Sequence, residues 1–410
     1  MKATTFKHFN PTRTPSPCFV IDKAAVEKNL QCLRSIEDAS GARILLALKA
    51  FAMPAFAPLV RQYLRGCCAS GLHEALLAHE HFGGSAKGVD RREVHVYSPA
   101  YSETEFESII AIADHIVFNS IAQWQRFQSR IIAQQRLRPG LKVGLRINPM
   151  VSTGDTAIYD PCAAGSRLGS HVELVKRQLT TATDIDGING LHFHTLCEQG
   201  YAPLAQTLDA VEAQFGDLLP RMKWLNLGGG HHITAPDYDR QGLIAHIRYL
   251  QDKYQLQVYL EPGEAAVINS GVLVSEVLDL HENDGPIAIL DTSATCHMPD
   301  ILEMPYRPDI LIRDSNGAMR VATAANATQH SYRLGGQTCL AGDVIGDYSF
   351  MEPLALGQRV MFDDMAHYTL VKTTTFNGIR LPSLAVWDSE TDSLEVVKSF
   401  GYEDFANRLG

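Results

Sequence analysis

Eight short apolar, strand-like runs follow one another between residues 44 and 263, and most are separated by stretches of helical period. They are ILLALKA (44–50), GCCAS (66–70), EVHVYSP (93–99), HIVFNS (115–120), KVGLRIN (142–148), GLHFHTL (190–196), WLNLGGG (224–230) and VYLEPG (258–263). PAFAPLVRQYL, LHEALLAHEHFG and SIAQWQRFQSRIIAQQ are three of the intervening helical stretches. Strand alternating with helix predicts a parallel sheet. Eight such units over this length predict a closed (β/α)8 barrel. An open doubly wound sheet is the alternative, and no GxGxxG follows the first run to favour it.

After Gly263 the texture changes. INSGVLVSEVLDL, PIAILDTSA, MRVATAA, GQRVMFDDM, HYTLVKTTTFNG and SLAVWD read as strands with no helices between them, the pattern of an antiparallel β domain. Residues from Thr14 to Asp22 are also strand-like and are expected to join that domain. KAAVEKNLQCLRSIED then reads as a helix with Asp22 as its N-cap. The expected division is an α/β barrel over 23–265, with 1–22 and 266–410 forming a mainly antiparallel β domain.

The chain is long enough for two domains at 410 residues. A net charge of -10 disfavours a nucleic-acid partner and suits a cationic substrate. No secretory h-region or long uncharged apolar run is present. The eight cysteines lack CxxC spacing, so reduced thiols, no zinc site and a cytoplasmic location are expected.

In such barrels the functional residues gather at the carboxyl ends of the strands. Lys49 closes the first run in an apolar setting. A desolvated lysine has a lowered pKa and forms an imine with an aldehyde; a snorkelling structural lysine is the plainer reading. His194 closes the sixth run, with His192 two residues before it on the same strand face. The pair could be metal ligands, but no third ligand has convincing spacing, and a flat imidazole also stacks on a planar cofactor ring. Gly228, Gly229 and Gly230 close the seventh run, where such barrels cradle phosphate. Glu261 closes the eighth. A carboxylate facing a pyridine nitrogen would keep it protonated and make the ring an electron sink.

With these features the chain resembles the fold-type III pyridoxal-phosphate (PLP) decarboxylases, which include ornithine and diaminopimelate decarboxylases. ALKA, LHFH, LNLGGG, LEPG, GGQTCLAGD and AHYTLVKTTTFNG are similar to that family's motifs over nearly the whole chain. The resemblance implies that Lys49 carries PLP, His194 stacks on its ring and Glu261 meets its nitrogen. The glycines and Tyr368 would hold the phosphate. Cys339 would return a proton after carbon dioxide leaves. It implies a homodimer with shared active sites, in which Arg167 pairs with Asp343 of the partner subunit.

The departures narrow the resemblance. Leu196-Cys197 stand where the family has Gly-Ser, Glu264 where it has arginine, and Leu340 where it has an acid. Together with DTSATCHMPDILEMPYRP (291–308) they resemble the carboxynorspermidine/carboxyspermidine decarboxylases of polyamine biosynthesis. Glu264, Asp300, Glu303 and Asp343 would then face a substrate with cations along its length. Diaminopimelate, ornithine or lysine decarboxylation is the nearest rival. An alanine-racemase-like enzyme is disfavoured by Glu261, a catalytically inactive regulator by the intact Lys49, His194, Glu261 and Cys339, and a metal-dependent aldolase by the lack of a convincing site.

Overall fold

The computed structural model describes residues 5–154, 156–179, 185–324 and 330–410. They divide into two compact units, residues 29–266 and residues 1–28 with 267–410. The chain opens with β1 (Cys18–Asp22) and α1 (Lys23–Ser40). Asp22 accepts the amide of Ala24 in the first turn, as a cap does.

The 29–266 unit is a barrel. Its strands are β2 (Arg43–Ala47), β3 (Gly66–Ala69), β4 (Glu93–Tyr97), β5 (His115–Phe118) and β6 (Lys142–Asn148). After a two-residue strand, β7 (Ser170–His171), come β8 (Gly190–His192), β9 (Trp224–Asn226) and β10 (Gln257–Leu260). All pair in parallel, and β10 returns to β2, which closes eight strands into a ring with β7 appended to β6. The alternating helices are α2 (Ala57–Tyr63), α3 (Leu72–His81), α4 (Glu103–Ile112), α5 (Ile121–Leu137), α6 (Val172–Gln178), α7 (Tyr201–Phe215) and α8 (Arg240–Tyr254). Ser102 and Ser120 cap α4 and α5 by accepting amides three residues on. No helix among the described residues is long and apolar enough to cross a membrane.

The barrel interior is filled in layers. Trp224 from β9 lies against the backbone of β6 and β8. A Cβ at Gly190 would come within 2.0 Å of its ring, and one at Gly144 within 2.3 Å. Only glycine at these two positions admits the indole. Towards the amino ends of the strands, the His95 and His115 rings stack at 3.8 Å and 14°. His95 Nε2 meets Glu93 Oε2 at 2.8 Å, and Glu93 Oε1 takes Arg43 at 2.5 Å. Glu93, His95 and His115 have metal-ligand spacing, and both imidazole Nε2 atoms lie near Glu93 Oε2, at 2.8 and 3.8 Å.

The second unit is a sheet unit, preceded in the chain by α9 (Glu264–Val267). Its strands are β1, β11 (Gly271–Glu282), β12 (Pro286–Leu290), β13 (Ile310–Arg313), β14 (Met319–Ala324), β15 (His330–Gly335), β16 (Val344–Phe350), β17 (Arg359–Asp363), β18 (Ser383–Asp388) and β19 (Ser393–Lys398). Short helices α10 (Ala294–His297) and α11 (Asp300–Glu303) follow β12, and α12 (Tyr402–Leu409) ends the chain. Pairing is mainly antiparallel, in the order β12-β15-β16-β14-β13-β17-β11-β1-β18-β19. All five residues of β1 are buried. Phe19 enters one cluster with Leu273, Val360 and Phe362, while Cys18 and Val20 enter another with Val272, Met361 and Trp387.

Two expectations need correction. HYTLVKTTTFNG is not a strand. Tyr368 takes a left-handed φ of 45°, and its carbonyl accepts the amides of Val371 and Lys372, which turns the chain. The stretch from 291 to 308 holds α10 and α11, because Ser293 caps a helix by accepting the Cys296 amide at 3.1 Å. The last residue of MRVATAA, Ala325, lies outside the described residues.

Candidate active site

The barrel strands end earlier than their apolar runs, so most candidate residues lie on the loops just past them. Lys49 sits on the turn after β2, two residues beyond Ala47. Its side chain is exposed, contrary to the desolvated lysine expected. The reason is local: Leu48 and Ala50 take the buried positions on either side. The ammonium is still close enough to lower the basicity of His194 and His192 by charge repulsion.

His194 lies two residues beyond β8. Its Nδ1 accepts the Gly229 amide at 3.0 Å, which leaves the proton on Nε2. Burial, with Lys49 and Arg146 adding, holds its pKa well below the usual value, so the ring is neutral. His192 does not share its direction. As the last residue of β8, His192 turns Nε2 to Glu261 Oε2 at 3.2 Å. Among the described residues, the groups of three with metal-ligand spacing are Glu93–His95–His115 and Glu198–His232–Glu264, and neither contains this pair.

Glu261 follows β10 and is half-buried. Asn226 donates to its Oε1 at 2.7 Å, so both carboxylate oxygens are held. Burial alone would raise its pKa, but His192, His95 and Asn226 outweigh that and keep it ionised. The partners come from one barrel layer: Arg146 on β6, His192 on β8 and Asn226 on β9 are in register across three neighbouring strands. Arg146 is 5% exposed, lies over the Tyr97 ring at 4.4 Å and donates to the His194 carbonyl at 3.2 Å. Tyr97 in turn stacks on His192 at 5.5 Å.

The three glycines differ from one another. A Cβ on Gly228 would meet the Phe193 carbonyl at 2.5 Å, on Gly229 the Glu261 carbonyl at 2.1 Å, and on Gly230 the Leu196 carbonyl at 1.9 Å. They let the loop after β9 pass between its neighbours. The Gly228 and Gly229 amides are taken by Asn226 and His194. Among the described residues, the amides of Gly230 and His231 find no acceptor. Glu264 opens α9, and its Oε1 lies 3.1 Å from His232 Nε2.

The remaining candidates belong to the sheet unit. Cys339 is exposed, with its amide on Asn377 Oδ1 at 2.9 Å. Asp343 is buried. It accepts from Ser293 Oγ, the Thr295 amide, and the amide and hydroxyl of Thr338. That carboxylate ties the Cys339 loop to the start of α10, rather than standing open for a substrate cation. Asp300 and Glu303, at the two ends of α11, are bridged by Lys372.

Sequence reasoning missed Arg146, Asn226, His232 and Lys372 as partners of the site residues. Arg146 carried a signal, since a charged residue inside an apolar strand run is rarely buried without a task. The others are ordinary polar residues whose partners are distant in sequence.

A model of the pyridoxal-dependent decarboxylase C-terminal sheet domain family matches residues 18–366. The chain belongs to the PLP-dependent decarboxylases. This decarboxylase is 41% identical to the carboxynorspermidine/carboxyspermidine decarboxylase of Campylobacter jejuni, over 96% of this chain and 98% of that one. It is 42% identical to the carboxyaminopropylagmatine decarboxylase of Synechocystis, over 97% and 96%. The crystal structure of the Campylobacter jejuni carboxynorspermidine decarboxylase, complexed with norspermidine, superposes with a TM-score of 0.83 at 40% identity, covering 96% of this chain and all of that one. The barrel-plus-sheet architecture is thus that of the family.

Proposed function

We propose that this decarboxylase removes the α-carboxylate of carboxynorspermidine, carboxyspermidine or both, yielding norspermidine or spermidine. The observation that carries the reading is Glu261, an ionised carboxylate with both oxygens held, on the same barrel end as Lys49 and the neutral His194. These residues fit PLP: a primary amine for its aldehyde, a flat neutral ring for its face and an anion for its nitrogen. The open Gly230 and His231 amides suit its phosphate. When bound, PLP accepts the electron pair left on the substrate Cα as the Cα–carboxylate bond breaks.

The chain's own residues do the rest. Lys49 anchors the cofactor through its ε-amine. His194 keeps the ring in place from one face. Tyr368 adds a phosphate contact, and Gly228 and Gly229 shape the loop. Cys339 of the partner subunit donates its thiol proton to Cα after carbon dioxide departs, which makes the working form a homodimer. Arg167, exposed near β7, belongs to that interface. A cytoplasmic location accords with reduced cysteines.

The substrate assignment draws on the near full-length Campylobacter jejuni relative and on Glu264, the acid that replaces the family's arginine. Glu264, Asp300 and Glu303 supply carboxylates for the substrate's ammonium groups. A second reading, a carboxylated aminopropylagmatine, is favoured by the Synechocystis relative at 42% identity; its guanidinium suits the same acids. Carbon dioxide release with these substrates, beside diaminopimelate and ornithine, tests both. Higher kcat/KM with diaminopimelate or ornithine would overturn them.

A further inference from the structure

The barrel holds a buried polar layer beneath the candidate site that the reaction itself does not use. His192 is 2% exposed, and its Nδ1 has no hydrogen-bond partner among the described residues. One polar atom of this histidine is left buried and unsatisfied, which has a free-energy cost. The arrangement keeps Nε2 on Glu261 Oε2 at 3.2 Å. Tyr97 fixes the ring from one face. It stacks there at 27°, and Tyr97 is itself held between the Arg146 guanidinium and Asn119, whose Oδ1 accepts its hydroxyl at 2.7 Å. Asn226 grips the other carboxylate oxygen and takes the Gly228 amide on its own Oδ1.

We propose that His192 is a positioning residue. Its Nε2–H, paired with the Asn226 amide, fixes the plane of the Glu261 carboxylate and so sets how firmly the cofactor's ring nitrogen holds its proton. This rests on the reading that Glu261 faces that nitrogen. A neutral donor suits the task better than a cation. Lysine or arginine in place of His192 would neutralise Glu261 and weaken its hold on a proton, whereas an imidazole orients the carboxylate and leaves its charge intact. Arg146, the nearest permanent cation of the layer, is turned to the His194 carbonyl and the Tyr97 ring.

The test uses the holoenzyme carrying PLP labelled with nitrogen-15 in its ring, whose resonance reports protonation of that atom directly. His192→Phe keeps the stack on Tyr97 and removes the donor. The resonance is expected to move towards its unprotonated position. kcat should fall about tenfold to a hundredfold, as for loss of one hydrogen bond to a charged group, with KM little changed. His192→Gln, whose amide reaches the Nε2 position, should restore both. A protonated resonance and unchanged kcat in His192→Phe would overturn the proposal. If that variant does not fold, His192→Asn serves instead, because its amide reaches only the Nδ1 position; wild-type behaviour there overturns the proposal equally. Glu261→Gln separates this inference from the reading beneath it. A resonance still protonated in Glu261→Gln refutes the facing of Glu261 and nitrogen. Loss there without loss in His192→Phe refutes only the role of His192.

Discussion

Lys372 holds its ammonium 2.6 Å from Asp300 Oδ1 while also reaching Glu303. The acid pair assigned to the substrate's tail therefore already carries one alkylammonium of the chain's own. On the proposed reading, an incoming polyamine end would meet a cluster with one net negative charge rather than two. Replacing Lys372 by Met should lower KM for the polyamine substrate by up to about fivefold, the scale of a partly exposed ion pair. kcat should stay near its original value. A raised KM in steady-state carbon dioxide release would show instead that Lys372 keeps the acids in a productive arrangement.

Lys49→Ala should abolish the long-wavelength absorption of lysine-bound PLP together with activity. The exposed position of Lys49 makes the substitution mild for folding, so circular dichroism should remain native. A band that survives in Lys49→Ala would refute the assignment.

Cys339→Ala should retain PLP but lower kcat by about a hundredfold or more, the range for loss of a positioned proton donor. Mixing Cys339→Ala with Lys49→Ala offers a further check. If the two sites are shared across a dimer, hybrid molecules regain one intact site, and activity should reappear on mixing.

Acid should destabilise the barrel through its lower layer. Burial would raise the Glu93 carboxyl, but His95, with Arg43 and Lys142, brings its pKa down to about 2 from 4.5. A carboxylate with a depressed folded pKa contributes stability above its unfolded value, and that stability is lost as pH falls from 4.5 towards 2. His115 is held neutral by burial and by its neighbour His95. Protonation in the unfolded chain therefore favours unfolding already below about pH 6.5. Both effects have the same sign. Thermal melts should show Tm falling continuously from pH 7 to pH 4. Glu93→Ala should cost about 1–3 kcal/mol, as for leaving buried His95 without its hydrogen-bond partner. A flat Tm profile over this range would count against the layer.

Gly190→Ala should be destabilising by about 1–3 kcal/mol, the cost of overpacking a core, because its Cβ would fall 2.0 Å from the Trp224 ring. Pairing it with Trp224→Phe should recover part of the loss. Equal stability of Gly190→Ala and the parent in urea denaturation would refute the fit.

Much of this was legible from the residues in order. All eight barrel runs form strands because period and apolar content agree there, and their carboxyl ends locate Lys49, His194 and Glu261 within a few residues. Strand ends were less legible. His192 and His194 read as one face, yet β8 stops at His192 and the chain turns, so each histidine has its own partner. The Tyr368 segment read as a strand because its threonines favour β structure, while a single left-handed residue bends it. Asp343 shows the third kind of limit. An acid in a loop looks open to ligands until Ser293 and Thr338, distant in sequence or hidden in a turn, are found to claim it.

β1 lies between β11 and β18, pairing antiparallel with one and parallel with the other. A strand synthesised before the barrel thus waits for residues 271–274 and then 383–387 before both its edges are covered. The whole barrel is synthesised in the interval and can fold first, on its own sequential contacts. Through that time a wholly apolar Cys-Phe-Val-Ile stretch stays open to wrong partners. A nascent chain stalled before residue 271, with both edges of β1 uncovered, should therefore be the form most sought by chaperones.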